Sequence, residues 1–118
     1  RFRKMLGGGM RQAGIIAAGG LYALENNFER LTEDHFRAKR LAVAINEMPN
    51  YSVELDAVHS NIVLISTPEG TAKSVVSSLA EEGVDIIEIH DSQVRAVTHL
   101  HITDEDIERT IAAFSSTQ

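Results

Sequence analysis

Arg3-Lys4-Met5-Leu6-Gly7-Gly8-Gly9-Met10-Arg11-Gln12-Ala13-Gly14 is the stretch from which the rest of the chain is read. Three consecutive glycines stand between two cations, Lys4 and Arg11. They lead into a run of small residues: Ala13, Gly14, Ala17, Ala18, Gly19 and Gly20. Glycine lets the backbone take positive φ and lets another group approach closely. A glycine turn entering a helix also presents amides without intrahelical partners, which suit an anion. One reading is therefore an anion site with Lys4 and Arg11 at its rim. The other is a plain hinge. There is no G-x-x-x-x-G-K-[ST] and no G-x-G-x-x-G after a strand, so the local pattern leaves both open.

The literal string is more specific than its composition. From Arg3 to Leu24 it reads R-K-M-L-G-G-G-M-R-Q-A-G-I-I-A-A-G-G-L-Y-A-L. This closely resembles the segment of low-specificity L-threonine aldolases that follows the cofactor-binding lysine. Leu31-Thr32-Glu33-Asp34-His35, Ala38-Lys39-Arg40-Leu41-Ala42, Asn61-Ile62-Val63 and Val94-Arg95-Ala96-Val97-Thr98-His99 resemble the C-terminal part of the same family. The resemblance covers nearly the whole chain. It implies a pyridoxal-phosphate (PLP) enzyme of the aspartate-aminotransferase fold, fold type I. The implied activity is that of a lyase of amino-acid metabolism and glycine biosynthesis, cleaving L-threonine or L-allo-threonine to glycine and acetaldehyde. A cytoplasmic homotetramer with shared active sites is implied as well.

The same resemblance assigns roles. Arg95, in the V-R-x-V-T-H type segment, is implied to hold the substrate α-carboxylate. Lys4, Gly7, Gly8, Gly9 and Arg11 are implied to face the cofactor phosphate or the substrate entrance, of their own or of a neighbouring subunit. The Schiff-base lysine is expected in an upstream portion outside these residues, and Lys4 is not that lysine. No catalytic residue is therefore expected within this stretch. Residues 1–30 would be the tail of the large cofactor-binding domain plus an interdomain helix. Residues 31–118 would form the small C-terminal domain.

Read outward from the glycines, periodicity gives the elements. Met10, Ala13, Gly14, Ala17, Leu21 and Leu24 fall three and four apart, predicting a long helix from about Met10 to Arg30. Its glycines cost about 1 kcal/mol each relative to alanine, so packing by a neighbour must hold it. Thr32 reads as the N-cap of a second helix that reaches Glu47, with Phe36, Ala38, Leu41, Ala42 and Ile45 inward. Tyr51, Val53 and Leu55 alternate with polar residues, as in a half-buried strand. The apolar run Asn61 to Ser66 predicts a central strand. After the Pro68-Glu69-Gly70 turn, Thr71 to Glu82 reads as a helix closed by Gly83. Val84–Ile89 and Gln93–His99 predict two strands about an Asp91-Ser92 turn. Thr103 opens the last helix with a capping box, and Ser115 to Gln118 is expected to fray. The class is α+β: a mostly antiparallel sheet with helices on one face, preceded by a long interdomain helix.

Composition sets outer bounds. A net charge of −6, with no basic patch among interleaved aromatics, argues against nucleic acid as a partner. The absence of cysteine excludes disulfides and zinc–thiolate sites. No apolar run reaches the length of a membrane span. His99 and His101 would share a strand face, but no third metal ligand is evident, so a strand end leading into a helix is expected there and no metal. By residue type alone, Arg95 reads as a solvent-face arginine on a strand. Its guanidinium could also bind a carboxylate bidentately. The partners implied are a small amino-acid substrate, the N-terminal portion of the same enzyme, and further copies of it. Two other functions stay open: a stand-alone α+β interaction module docking through its Gly/Ala helix, and a sister PLP β-eliminating lyase.

Overall fold

Gln12 takes a left-handed backbone conformation, φ +50°. A right-handed helix cannot run through such a residue, and outside glycine it costs about 1–2 kcal/mol. In the computed structural model, which describes residues 1–117, the first long helix therefore starts beyond it. A single turn, α1 (Phe2–Met5), comes first, and α2 spans Gly14–Asn26. The expected helix from Met10 to Arg30 is too long at both ends. At the C-terminal end, the Asn27 amide bonds the Ala23 carbonyl and closes α2.

The chain divides into two compact units, Arg1–Arg30 and the residues from Leu31 onward. In the first, neither α1 nor α2 buries a residue. Ile15 is 81% and Leu24 68% exposed.

The second unit contains α3 (Leu31–Asn46), β1 (Ile62–Ser66), α4 (Ala72–Glu81), β2 (Ile87–His90), β3 (Gln93–Val97) and α5 (Asp104–Ser116). Because α3 begins at Leu31, Thr32 lies inside its first turn and is not the N-cap. The helix buries Asp34, Ala38, Leu41, Ala42 and Ile45. Phe36, expected inward, is 67% exposed. It precedes Ala38 by two residues, which is about 200° round the helix.

The sheet is antiparallel with order β1-β3-β2. β3 is central, and β1, expected there, is an edge. The run Asn61 to Ser66 is apolar throughout because both faces of β1 carry aliphatic residues. Val63 and Ile65 point into the core with Val94 and Ala96 of β3, while Ile62 and Leu64 point the other way. α3 packs on β1, α4 on β2 and β3, and α5 on α3. The helices thus cover one face, as the α+β reading expects. The strand expected at Tyr51 keeps its alternation, with Tyr51 and Val53 buried and Ser52 and Glu54 exposed. It makes a single bridge, Ser52 to Ser66, before a 3₁₀ turn at Leu55–Ala57 leads the chain away. The other two strands are shorter than expected. β2 begins at Ile87 rather than Val84, and β3 ends at Val97, leaving His99 outside it.

Phe114, Ile45, Ile65, Leu79 and Ile107 are the largest fully buried side chains. The Phe114 ring meets Tyr51 edge-on at 5.1 Å, a geometry that favours aromatic pairs. Gly83, at φ +76°, closes α4. Its amide bonds the Ala80 carbonyl at 3.0 Å and the Val84 amide bonds the Leu79 carbonyl at 2.9 Å, the paired bonds of a Schellman motif. The capping box forms as expected: Thr103 accepts from the Asp106 amide, and Asp106 from the Thr103 amide. α5 stays helical through Ser116, where the expectation was fraying from Ser115. The Ser115 and Ser116 hydroxyls bond back to the Ile111 and Ala113 carbonyls; Gln118 lies outside the described residues. Among those residues, no helix is long and apolar enough to cross a membrane.

Candidate functional site

The helix-free face of the sheet is built by alternation. Pairing sets Ile62 opposite Val97, Leu64 opposite Arg95 and Ser66 opposite Gln93, and Ile87 faces Arg95 from the other side. An antiparallel sheet open to water on one face normally alternates apolar-in and polar-out. Here Ile62, Leu64, Ile87 and Val97 all lie on the open face, between 41% and 47% exposed. Arg95 stands in their midst on the central strand.

Arg95 is half-buried, and its Nε is buried without a hydrogen-bond partner. No carboxylate among the described residues forms an ion pair with it. Leu64 and Ile87 stand opposite it on the two neighbouring strands, and an arginine's aliphatic stem packs against such apolar neighbours. A buried donor left unmade is costly. Once the side chain turns Nε outward, a planar carboxylate could satisfy it and a terminal nitrogen together, the bidentate geometry that guanidinium offers.

The strand beneath Arg95 is firmly tied. Thr98, 2% exposed, donates its hydroxyl to the Asp34 carbonyl at 2.7 Å. Its amide bonds the Asn61 carbonyl at 2.9 Å, and the Asn61 side-chain amide donates to the Thr98 carbonyl at 2.7 Å. Within Val94 to His99, then, Val94 and Ala96 are core, Thr98 is a tether, and Arg95 keeps a buried nitrogen without a partner. Arg37 joins α3 to α5 through Asp104 at 3.0 Å, and that hydrogen bond raises the Arg37 pKa further.

A groove of about 340 Å³ lies on the open face, reaching Leu64, the cross-strand partner of Arg95. Ile62 and Leu64 line it with Ser66, Gln93, His59 and Ser60. Sequence reasoning assigned nothing to His59, Ser66 or Gln93. The period-2 pattern did hold a signal for two of them, since Gln93 and Ser66 share the outward face with Arg95 and Leu64.

In the glycine segment, the amides expected to stay free are largely spent. Gly7 takes φ +83° and donates its amide to the Lys4 carbonyl at 3.1 Å, and the Gly8 amide goes to the Arg3 carbonyl at 2.7 Å. A Cβ on Gly8 would stand 2.7 Å from that carbonyl oxygen, so the bend itself requires glycine there. The Arg3 guanidinium closes the bend on the Met10 carbonyl. α2 starts well beyond Gly9, behind an Ala13 N-cap with no side-chain bond, so the glycines do not enter the helix directly. Lys4, Gly9 and Arg11 are what the segment retains for an anion, and both cations are exposed.

His99 and His101 meet edge-on at 5.9 Å, and the His101 amide bonds His99 Nδ1. Among the described residues there is no group of three side chains able to hold a metal. Asp104 and Asp106, the nearest acids in sequence, are engaged by Arg37 and by the capping box.

Residues 1–68 match a family model described as beta-eliminating lyase. Low-specificity L-threonine aldolase 1 of Arabidopsis thaliana is 38% identical over 115 residues, which cover 95% of this chain and 32% of that protein. The low specificity L-threonine aldolase of Escherichia coli strain K12 is 38% identical over 112 residues, with the same coverage. The chain spans about a third of the length of these curated relatives. Among solved structures, the cystine C-S lyase C-DES, determined with its product cysteine persulfide, matches with a TM-score of 0.69 at 20% identity, over 87% of this chain and 28% of that one. Another form of C-DES carries glycine covalently linked to its PLP cofactor. At that identity the likeness concerns the fold.

Proposed function

The chain belongs to the beta-eliminating lyase family, and from that premise we propose that it is the C-terminal part of a PLP-dependent aldolase cleaving L-threonine or L-allo-threonine to glycine and acetaldehyde. Arg95 binds the substrate α-carboxylate. The observation that carries this reading is the buried, partnerless Nε of Arg95, set between the aliphatic cross-strand neighbours Leu64 and Ile87. The names of the curated relatives support the aldol reaction.

The residues present fit the substrate end of such a site. The orphaned Nε asks for an acceptor, and the α-carboxylate supplies one. For the cofactor, the chain offers Lys4 and Arg11 with Gly9, groups suited to its phosphate. Bound PLP would supply an electron sink for the pair released at Cα. Arg95 contributes position. A carboxylate held by two nitrogens on a strand pinned at Thr98 cannot swing freely, so the other substituents of Cα keep fixed directions. Leu64 and Ile87 keep water from the inner side of the guanidinium and strengthen the ion pair.

An upstream portion of the same polypeptide supplies the Schiff-base lysine, and the enzyme acts as a cytoplasmic homotetramer. The exposed aliphatic residues of α2, Ile15 and Leu24 among them, support cover by further polypeptide.

The test is made on the full-length enzyme with PLP and L-threonine. Acetaldehyde and glycine are expected, and Arg95→Ala should lower kcat/KM by at least about thirtyfold, the low end for removing one partner of a hydrogen-bonded charge pair. Release of ammonia and a 2-oxo acid in place of glycine would instead identify a β-eliminating lyase. An Arg95→Ala enzyme with unchanged kcat/KM would refute the carboxylate role.

A further inference from the structure

Resting on the Arg95 reading, we infer that Gln93 and Ser66 form a second subsite, which reads a polar group at the far end of an amino acid's side chain. The two residues pair across β3 and β1 on the open face, one step along from the Arg95–Leu64 pair. Both line the groove of about 340 Å³, and so does Leu64, the cross-strand partner of Arg95. Neither the Gln93 amide nor the Ser66 hydroxyl has a side-chain hydrogen-bond partner among the described residues.

The spacing selects the ligand. Same-face neighbours on a strand stand about 7 Å apart. With its carboxylate on Arg95, glycine or alanine ends before reaching Gln93. A side chain of two or three methylenes ending in an amide or hydroxyl spans the step. Its methylenes would lie over Leu64, and its polar end would meet Gln93 and Ser66 with His59 and Ser60 at the groove wall. Gln93 offers both donors and an acceptor, and Ser66 offers one of each. A neutral group able to donate and accept is therefore the complement, and an aliphatic end would leave both residues unpaired.

The experiment is an NMR titration of the isotope-labelled protein with glycine, L-alanine and L-glutamine in turn. All three should shift the Arg95 Nε–Hε resonance. Only L-glutamine should also shift the Gln93 side-chain amide and the His59 ring. It should bind about fivefold tighter than L-alanine, the gain one net hydrogen bond supports. Gln93→Ala should erase that advantage and leave the alanine affinity unchanged. If all three ligands shift Arg95 while L-glutamine gains nothing over L-alanine, the subsite is overturned and the Arg95 reading stands. If Arg95 responds to none of them, both fall.

Discussion

Replacing Arg95 with leucine should make the protein more stable while removing its ligand. The buried Nε has no acceptor, and an unsatisfied buried donor costs about 1–3 kcal/mol. Leucine deletes that donor and sets an aliphatic side chain between Leu64 and Ile87, where each cross-strand apolar pair contributes about 0.2–1 kcal/mol. The lost packing of the arginine stem works against this gain, and leucine's own contacts roughly offset it. The balance is about 1 kcal/mol in favour of the variant. With a urea slope of about 1 kcal/mol/M for a small domain, the unfolding midpoint should rise by about 1 M. The chain has no tryptophan, so far-UV circular dichroism is the signal to follow. Acetate adds a second arm: a ligand that binds only the native state raises the midpoint, so acetate should stabilise the parent protein and leave Arg95→Leu unmoved. A lower midpoint for the variant, or equal stabilisation of both proteins by acetate, would refute the reasoning.

Thr98→Val removes the hydroxyl bonded to the Asp34 carbonyl at 2.7 Å and should cost about 1–2 kcal/mol in urea unfolding, with Thr98→Ser recovering most of the loss. The Thr103 amide, and then its hydroxyl, donate to Asp106 and hold its carboxyl below the usual value of 3.8. Since the folded state binds that proton less tightly than the unfolded state, the contribution is fully present above the unfolded pKa and is lost as pH falls through the lower folded one. Thermal melts as a function of pH should therefore decline less steeply in the acid for Asp106→Asn than for the parent, and parallel acid limbs would count against this account.

Features set by neighbours in the chain could be read directly. The capping box at Thr103 and Asp106, the Gly83 closure of α4 and the hairpin turn at Asp91-Ser92 each depend on a few adjacent residues, and each is found. The α+β class also follows from periods of 3.6 and 2. What the sequence left open depends on partners far along the chain. Alternation at Tyr51 and Val53 reported burial correctly, but a ladder needs a facing strand, and only Ser52 finds one. Gln12 broke the first helix early through a backbone angle that residue type does not announce.

The same limit governs the site. An apolar run such as Ile62 to Ile65 has the same composition whether the strand is central or lies at an edge with aliphatic residues on both faces, and only its pairing, a ladder with β3 and a single bridge to Ser52, distinguishes the two. Arg95 inherits this ambiguity. Beside polar cross-strand neighbours it would be a solvated surface arginine of little consequence. Beside Leu64 and Ile87 its inner nitrogen loses water and gains nothing from the chain. The physical case for a ligand rests on that shortfall, which belongs to the register between strands and not to the arginine itself. An acceptor from outside these residues would make it good, and a carboxylate is an acceptor whose shape matches two guanidinium nitrogens.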